Sequence, residues 1–258
     1  MWKKSLPVLL VFLFVVFPVK AERCSLLPPR METLRIPSEK LGKELTFNVY
    51  LPACMDKRTI PGYPVLYLLH GQDMGPEIWE EIGLPEAMMD AELPLFIVVT
   101  PQEEDNLIAL SISGFDDAIL EELIPYIDAR YHTCTAQNCR AVGGISRGAL
   151  WAEKLFLDAP DVFGTVGLQS MPGTVYDESG VYYALQNRPQ IRIRFDIGTE
   201  DGYRNDALGA AQQFVNAEYN FEWLSLPGGH DAAYWQSRLP ESLKWYSAEW
   251  KTITLPEP

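Results

Sequence analysis

One short motif, Gly144-Ile145-Ser146-Arg147-Gly148, limits the folds open to this chain more than any other feature. The residues before it, Arg140–Ile145, have the apolar composition of a buried strand, and residues 149–157 have the spacing of an amphipathic helix. A G-x-S-x-G sequence between a strand and a helix predicts a sharp turn that strains the serine and exposes its hydroxyl. The amide at the start of such a helix can stabilise an oxyanion. The alternative is a glycine-rich strand end with a capping serine.

Two later segments supply the partners that a nucleophilic serine needs. Residues 191–197 alternate like a strand and lead into a loop that contains Glu200 and Asp201, where a histidine-orienting carboxylate is expected. Residues 221–226 form another strand pattern, and the loop after it contains His230. Serine, acid and histidine in that order are typical of α/β-hydrolases. An imidazole that titrates near neutrality can take the serine proton.

Histidine is scarce in this chain, so each alternative base can be considered separately. His70 ends a strand upstream of the serine and therefore has the wrong position in the chain order. His132 follows a helix beside a cysteine loop, where a surface or capping role is expected. His230 is therefore the predicted general base.

These segments resemble the esterase D / feruloyl esterase group of α/β-hydrolases, a family that also contains bacterial mycolyltransferases and siderophore esterases. The resemblance covers roughly residues 34–250. The matching segments are Leu51-Pro52, 63–71, 143–148, 198–201, and 228–231 with Tyr234-Trp235.

The resemblance implies a role for individual residues. It makes Ser146 the nucleophile, Asp201 the acid and His230 the base, with Asp201 favoured over the adjacent Glu200. It places the oxyanion-binding amides on Gln72, after the His-Gly pair, and on Arg147, after the serine. Many members have Ser-Met-Gly-Gly where this chain has Ser-Arg-Gly-Ala. That change keeps the backbone amide but puts a long cationic side chain beside the site.

Four aromatic residues fall near the motifs and are predicted substrate contacts. Most are expected in the core, but one or two lining a cleft would favour aryl or sugar-linked substrates. The four are Trp79, Trp151, Tyr234 and Trp235.

Hydrophobic patterning predicts an open, mostly parallel central sheet of about eight strands with flanking helices. The resemblance implies that this sheet belongs to an α/β-hydrolase fold with a minimal cap. Residues 34–36 and 45–51 are predicted antiparallel edge strands. The predicted parallel strands are 64–69, 95–100, 140–145, 166–169, 191–197 and 221–226. Residues 115–131 have helical spacing. The insertion of note, residues 171–190, is expected to form a loop and a short helix beside the cleft.

The amino terminus has the pattern of an export signal. Lys3 and Lys4 precede an apolar stretch over residues 6–19, and a small-residue cleavage site follows at Ala21. We predict a signal peptide over residues 1–21 and a single esterase domain over 22–258. The mature protein is expected to be secreted or periplasmic, without stable membrane insertion, because the apolar core is short for a permanent anchor.

An even number of cysteines agrees with an oxidising compartment. Cys134 and Cys139 are close enough in sequence to clip a turn, and Cys24 would then pair with Cys54. Other pairings and free buried thiols remain alternatives. No histidine adjoins these cysteines in a way that indicates a catalytic thiol.

Charge and motif content narrow the class of ligand. The formal net charge of −14 and the pI of about 4.6 disfavour nucleic-acid binding. No metal-ligand spacing occurs, so neither a metal nor another cofactor is expected, and the sequence does not indicate an oligomeric state. The predicted partner is a small-molecule ester.

Together these features predict a serine carboxylic-ester hydrolase that acts on short-chain or aryl, feruloyl-like esters through an acyl-enzyme. Two alternatives remain. One is an acyltransferase of the mycolyltransferase type, in which an acceptor alcohol outcompetes water. The other is a hydrolase-like binding module without catalytic activity.

Overall fold

The computed structural model describes residues 26–55, 62–186 and 191–250. One eight-stranded sheet lies at its centre, in the order β1-β2-β4-β3-β5-β6-β7-β8. The strands are β1 Arg30–Ser38, β2 Lys43–Leu51, β3 Val65–Leu69, β4 Ile97–Pro101, β5 Arg140–Ile145, β6 Thr165–Gln169, β7 Arg192–Gly198 and β8 Glu222–Leu226.

The sheet is mostly parallel. β1 pairs with β2, and β2 with β4, in antiparallel orientation. The six strands from β3 to β8 run parallel to one another. Every residue of β3, β4 and β5 is buried, as expected for parallel strands covered on both faces. The predicted α/β-hydrolase fold is therefore confirmed. Its functional loops follow the carboxyl ends of the parallel strands.

Helices cover both faces of the sheet. The helices are α1 Ile78–Glu81, α2 Leu84–Ala87, α3 Phe115–Asp117, α4 Ile124–Arg130, α5 Arg147–Asp158, α6 Glu178–Leu185, α7 Arg204–Asn216 and α8 Ala232–Ser247. Residues 115–131, predicted as one helix, include a π-helical stretch, Ala118–Leu123, between α3 and α4. Short 3₁₀ turns occur at Leu110–Ile112 and Gln137–Cys139.

Two hydrophobic cores lie on opposite faces of the sheet. The larger contains α4, α5 and α7, with side chains such as Phe156 and Phe214. The smaller contains α1, α2 and α8, with side chains such as Leu84 and Leu243. Each helix therefore buries an apolar stripe against the sheet, and this packing fixes the loops at the sheet edge.

The insertion after β6 forms a loop followed by α6. Val181 and Leu185 anchor that helix in the larger core, whereas Tyr182 and Tyr183 are exposed. A single two-turn helix matches the expected minimal cap. Residues 187–190 lie outside the described part of the chain.

A disulfide joins Cys134 and Cys139, as predicted, with an S–S distance of 2.07 Å. Cys54 is also disulfide-bonded. Its predicted partner, Cys24, lies outside the described residues, as do the predicted signal peptide and its cleavage site at Ala21. Over the ranges that the structure describes, no helix has both the length and the apolar character needed to cross a membrane.

Candidate active site

Ser146 occupies a strained turn between β5 and α5. Its φ of 54° lies in the left-handed region that a residue with a Cβ atom rarely adopts. Two glycines make the turn possible. A Cβ atom on Gly144 would lie 2.3 Å from the backbone of Gly148, and one on Gly148 would lie 2.1 Å from the Leu69 carbonyl oxygen. The motif therefore packs the strand, the turn and the helix closer together than any side chain would allow.

Ser146, His230 and Asp201 form a continuous chain of hydrogen bonds. The Ser146 Oγ lies 2.9 Å from His230 Nε2, and His230 Nδ1 lies 2.9 Å from Asp201 Oδ2. An ionised carboxylate only accepts, so Nδ1 carries the proton and Nε2 is left to accept from the serine hydroxyl. This is the tautomer that a general base needs.

Asp201, rather than Glu200, contacts the histidine. Asp201 is buried after β7, and its other oxygen, Oδ1, accepts a hydrogen bond from the Tyr203 amide at 2.9 Å. The exposed Glu200 carboxylate accepts instead from Thr199 Oγ1 and from the Gly228 amide. Both hydrogen bonds lower the pKa of Glu200. Glu200 therefore ties the Asp201 loop to the loop that contains His230.

Two aromatic rings hold His230 in place. The Tyr203 and Trp235 rings meet the imidazole edge to face, at centroid distances of 4.9 and 5.4 Å. The Trp235 indole donates to Ser170 Oγ at 3.0 Å. The imidazole remains about a quarter exposed, which leaves room for a ligand above Ser146.

Of the two predicted oxyanion residues, Arg147 directly follows Ser146 and Gln72 follows a glycine that approaches it. Arg147 is the first residue of α5, where backbone amides have no partner within the helix. Gln72 follows Gly71, which packs against the serine, since a Cβ atom on Gly71 would lie 3.4 Å from the Ser146 Cβ. Within the described residues the Gln72 amide donates to no protein acceptor.

The Arg147 side chain forms a buried ion pair with Glu103. Its Nε and Nη2 atoms lie 2.8 and 2.6 Å from the two oxygens of Glu103, and Nη2 also donates to the Ile108 carbonyl at 2.8 Å. Its guanidinium carbon also lies 5.8 Å from the Trp151 ring centre. The long cationic side chain expected beside the site is therefore paired with a buried carboxylate, and Glu103 and Ile108 accept hydrogen bonds from its Nε and Nη2 atoms.

The four predicted aromatic contacts are all buried. None of Trp79, Trp151, Tyr234 and Trp235 is more than 3% exposed. The Tyr234 hydroxyl donates to Asp196, and desolvation together with this carboxylate raises its pKa. These side chains support the site from the core and offer almost no surface to a dissolved ligand. Trp235 is the member of the four whose ring contacts His230.

Sequence reasoning did not single out Glu103 or Tyr203. Glu103 follows β4 and Tyr203 follows the Asp201 loop, so both stand at the carboxyl edge of the sheet. Their positions just after strands could have indicated a place near the site, but a position in the sequence does not show which side chains contact it. Largely exposed apolar side chains also occur in the segments after β4 and β6. They include Leu107, Ile112 and Tyr183.

No group of three or more histidine, cysteine or acidic side chains among the described residues could hold a metal ion. The groups that the structure brings together at Ser146 are its hydroxyl, the His230 imidazole and the Asp201 carboxylate. A serine activated in this way can attack the carbonyl carbon of an ester, and backbone amides beside it can stabilise the oxyanion that forms.

Comparison with known proteins identifies the family. The profile of a family described as "Putative esterase" matches residues 38–246, which is most of the chain. The chain is 33% identical over 206 residues to an endo-1,4-beta-xylanase/feruloyl esterase of Xylanibacter ruminicola. That alignment covers 69% of this chain and 28% of the relative. An esterase of Mycobacterium tuberculosis is 27% identical over 183 residues, covering 67% of this chain and 39% of the relative. The chain thus spans less than half of either relative.

Solved structures show the same fold. A ferulic acid esterase superposes with a TM-score of 0.75 at 22% identity, covering 86% of this chain and 99% of that one. At this level of identity the likeness concerns the fold alone.

Proposed function

Because the chain belongs to this esterase family, we propose that it is a serine carboxylic-ester hydrolase acting on short-chain or aryl esters. The observation that carries the proposal is the Ser146–His230–Asp201 hydrogen-bond chain, mounted on a strained turn with Ser146 beside two backbone amides. A capping or purely structural serine would need neither a correctly oriented imidazole nor a left-handed backbone.

Acylation begins when Ser146 Oγ attacks the ester carbonyl and His230 Nε2 takes its proton. Asp201 holds the imidazole in the required tautomer and stabilises the imidazolium that forms. The carbonyl oxygen becomes an oxyanion, which accepts hydrogen bonds from the amides of Gln72 and Arg147. His230 then gives its proton to the leaving alcohol, and the acyl group remains on Ser146.

Deacylation repeats these steps with water. His230 takes a proton from the water as it attacks the acyl-enzyme, and the same two amides stabilise the second oxyanion. Collapse of this intermediate releases the carboxylic acid and returns the proton to Ser146. An alcohol in place of water would give acyl transfer, so the ratio of hydrolysis to transfer is part of the test.

The substrate class rests on the surroundings of Ser146. One relative is named as an endo-1,4-beta-xylanase/feruloyl esterase. The segments after β4 and β6, which follow the same edge of the sheet as Ser146, contain exposed apolar side chains that we propose contact an aryl or short acyl group. We also propose that the protein is secreted or periplasmic, which agrees with the apolar stretch after Lys3 and Lys4 and with the disulfide between Cys134 and Cys139.

A panel of aryl and alkyl esters tests this proposal, together with a fluorophosphonate label. The wild type should hydrolyse aryl and short-chain esters and should be labelled at Ser146, whereas Ser146→Ala should do neither. Products formed in the presence of added alcohols measure transfer. A protein that is neither labelled nor active would instead be a binding module.

A further inference from the structure

Glu103 contacts both arms of the proposed oxyanion site through different atoms. It follows β4 and is only 3% exposed. Its backbone amide donates to His70 Nε2 at 2.9 Å, and its carboxylate binds Arg147 through two hydrogen bonds. His70 precedes the Gly71–Gln72 peptide, and Arg147 follows the serine. One residue thus joins two loops that approach Ser146 from different strands.

The contact with His70 fixes the peptide that carries the Gln72 amide. A backbone amide only donates, so His70 Nε2 accepts from Glu103 and the ring proton resides on Nδ1. Nδ1 then donates to the Gly71 carbonyl at 2.8 Å. In a trans peptide the carbonyl and the following amide point in opposite directions. Holding the Gly71 oxygen therefore aims the Gln72 N–H group, and burial lowers the pKa of His70, which keeps the ring neutral.

The contact with Arg147 fixes the start of α5. A bidentate guanidinium–carboxylate pair has a set geometry, and both side chains are buried here, at 9% and 3% exposure. A third hydrogen bond, to the Ile108 carbonyl, prevents rotation of the guanidinium. The position of the Arg147 backbone is therefore fixed by the hydrogen bonds of its side chain as well as by the helix.

We infer that Glu103 is a positioning residue that holds the amides of Gln72 and Arg147 in one fixed arrangement around the oxyanion. The inference rests on the proposed function. It explains why an arginine can follow the nucleophile without presenting a free charge to the substrate. It also predicts that disturbing Glu103 weakens binding of the transition state more than binding of the ester.

Glu103→Gln tests this, with Asp128→Asn as the matched control. Asp128 binds Arg140 at 2.9 Å in a partly buried pair at the amino end of β5, the edge of the sheet away from Ser146. We would measure kcat and KM per fluorophosphonate-titrated site with 4-nitrophenyl acetate. We would also measure the inhibition constant of a trifluoromethyl ketone, whose serine adduct carries an oxyanion.

Glu103→Gln should lower kcat by roughly 10–100-fold, since complete loss of one oxyanion donor costs about 10²–10³-fold. KM should change little, and the ketone should weaken by the same factor as kcat/KM. Asp128→Asn should lower Tm without changing kcat or ketone affinity. Folded Glu103→Gln with kcat and ketone affinity within about twofold of wild type would overturn the inference.

A second variant tests the inference if Glu103→Gln does not fold. Glu103→Gln with Arg147→Met removes both charges together and leaves no unpaired buried ion. It should show the same loss in kcat and ketone affinity, and wild-type values would again overturn the inference. Failure of the proposed function has a different signature, because the wild type itself would then lack ester turnover and labelling.

Discussion

At the scale of single residues, the proposed roles of Ser146 and His230 make them interdependent, because neither side chain can act without its partner. Ser146→Ala and His230→Ala should each lower kcat by roughly 10⁴–10⁶-fold, and the double variant should be hardly slower than either. Steady-state kinetics on an aryl ester measures this. Either single variant retaining more than about a tenth of the wild-type kcat would contradict the assignment.

The acid is tested by comparing two neighbours. Asp201→Asn should lower kcat by up to about 10⁴-fold, because an amide in place of the carboxylate favours the wrong histidine tautomer. Glu200→Gln should have a much smaller effect, since Glu200 contacts the Gly228 amide and not the imidazole. A larger loss in the Glu200 variant would reverse the assignment.

Chain order singled out Ser146, His230 and the loop that contains Glu200 and Asp201, because these motifs lie at strand ends, and strand ends meet at one edge of a parallel sheet. The choice of Asp201 within that loop came from the family resemblance. No motif marks Glu103, because its partners His70 and Arg147 come from the ends of two other strands. The four aromatic residues predicted as substrate contacts show the opposite error, since the sequence favoured them and the structure buries them in the core. Sequence proximity to a motif does not distinguish Trp151 in the core from a ring in a cleft, because both are apolar and both follow strand or helix periodicity.

At the scale of elements, eight strands were predicted and eight occur, because apolar runs bounded by turn residues mark strands. Two of them differ in position. Residues 45–51, predicted at an edge, form β2 between β1 and β4, whereas residues 221–226, predicted as buried, form β8 at the other edge and are at most partly buried. The sheet order was not visible in sequence, since β3 and β4 exchange places relative to the chain. Residues 115–131 show the limit of periodicity. Pro125 lacks an amide hydrogen, and a π-helical stretch precedes α4 instead of a regular helix. Helical spacing alone does not distinguish the two.

A buried carboxyl links α5 to the segment before α6. Glu153 Oε2 accepts from Thr174 Oγ1 at 2.8 Å and from the Val175 amide at 3.2 Å. Its other oxygen, Oε1, has no partner within the described residues. Burial raises the pKa of Glu153 to about 8, partly offset by these two hydrogen bonds. A neutral side chain is therefore preferred in this position.

Glu153→Gln should make stability less dependent on pH. Between the unfolded pKa, about 4.3, and the folded value, about 8, the folded protein binds more protons than the unfolded chain. The Glu153 contribution to stability therefore falls as pH rises through this window. Relative to wild type, the glutamine variant should gain roughly 2–5 kcal/mol between pH 5 and pH 8.5 in urea unfolding. The exposed Glu86→Gln is the control, and a pH-independent difference between Glu153→Gln and wild type would contradict the prediction.

At the scale of the whole molecule, the sheet and its covering helices account for most of the described chain, and the insertion after β6 contributes one short helix. Such a segment can form a wall beside Ser146 but is too short to close over a long acyl chain. The net charge of −14 also opposes adsorption to anionic membranes. Shape and charge therefore both favour substrates that are dissolved.

The protein should consequently follow ordinary saturation kinetics on dissolved short-chain or aryl esters. Rates measured across the solubility limit of a 4-nitrophenyl ester series test this, with acyl chains from acetate upward. Turnover per titrated site should level off below that limit, because the His230 imidazole is already about a quarter exposed. The value of kcat/KM should fall as the acyl chain lengthens. A rise in rate when the substrate separates as a second phase, or a higher kcat/KM for long acyl chains, would show lipase behaviour instead.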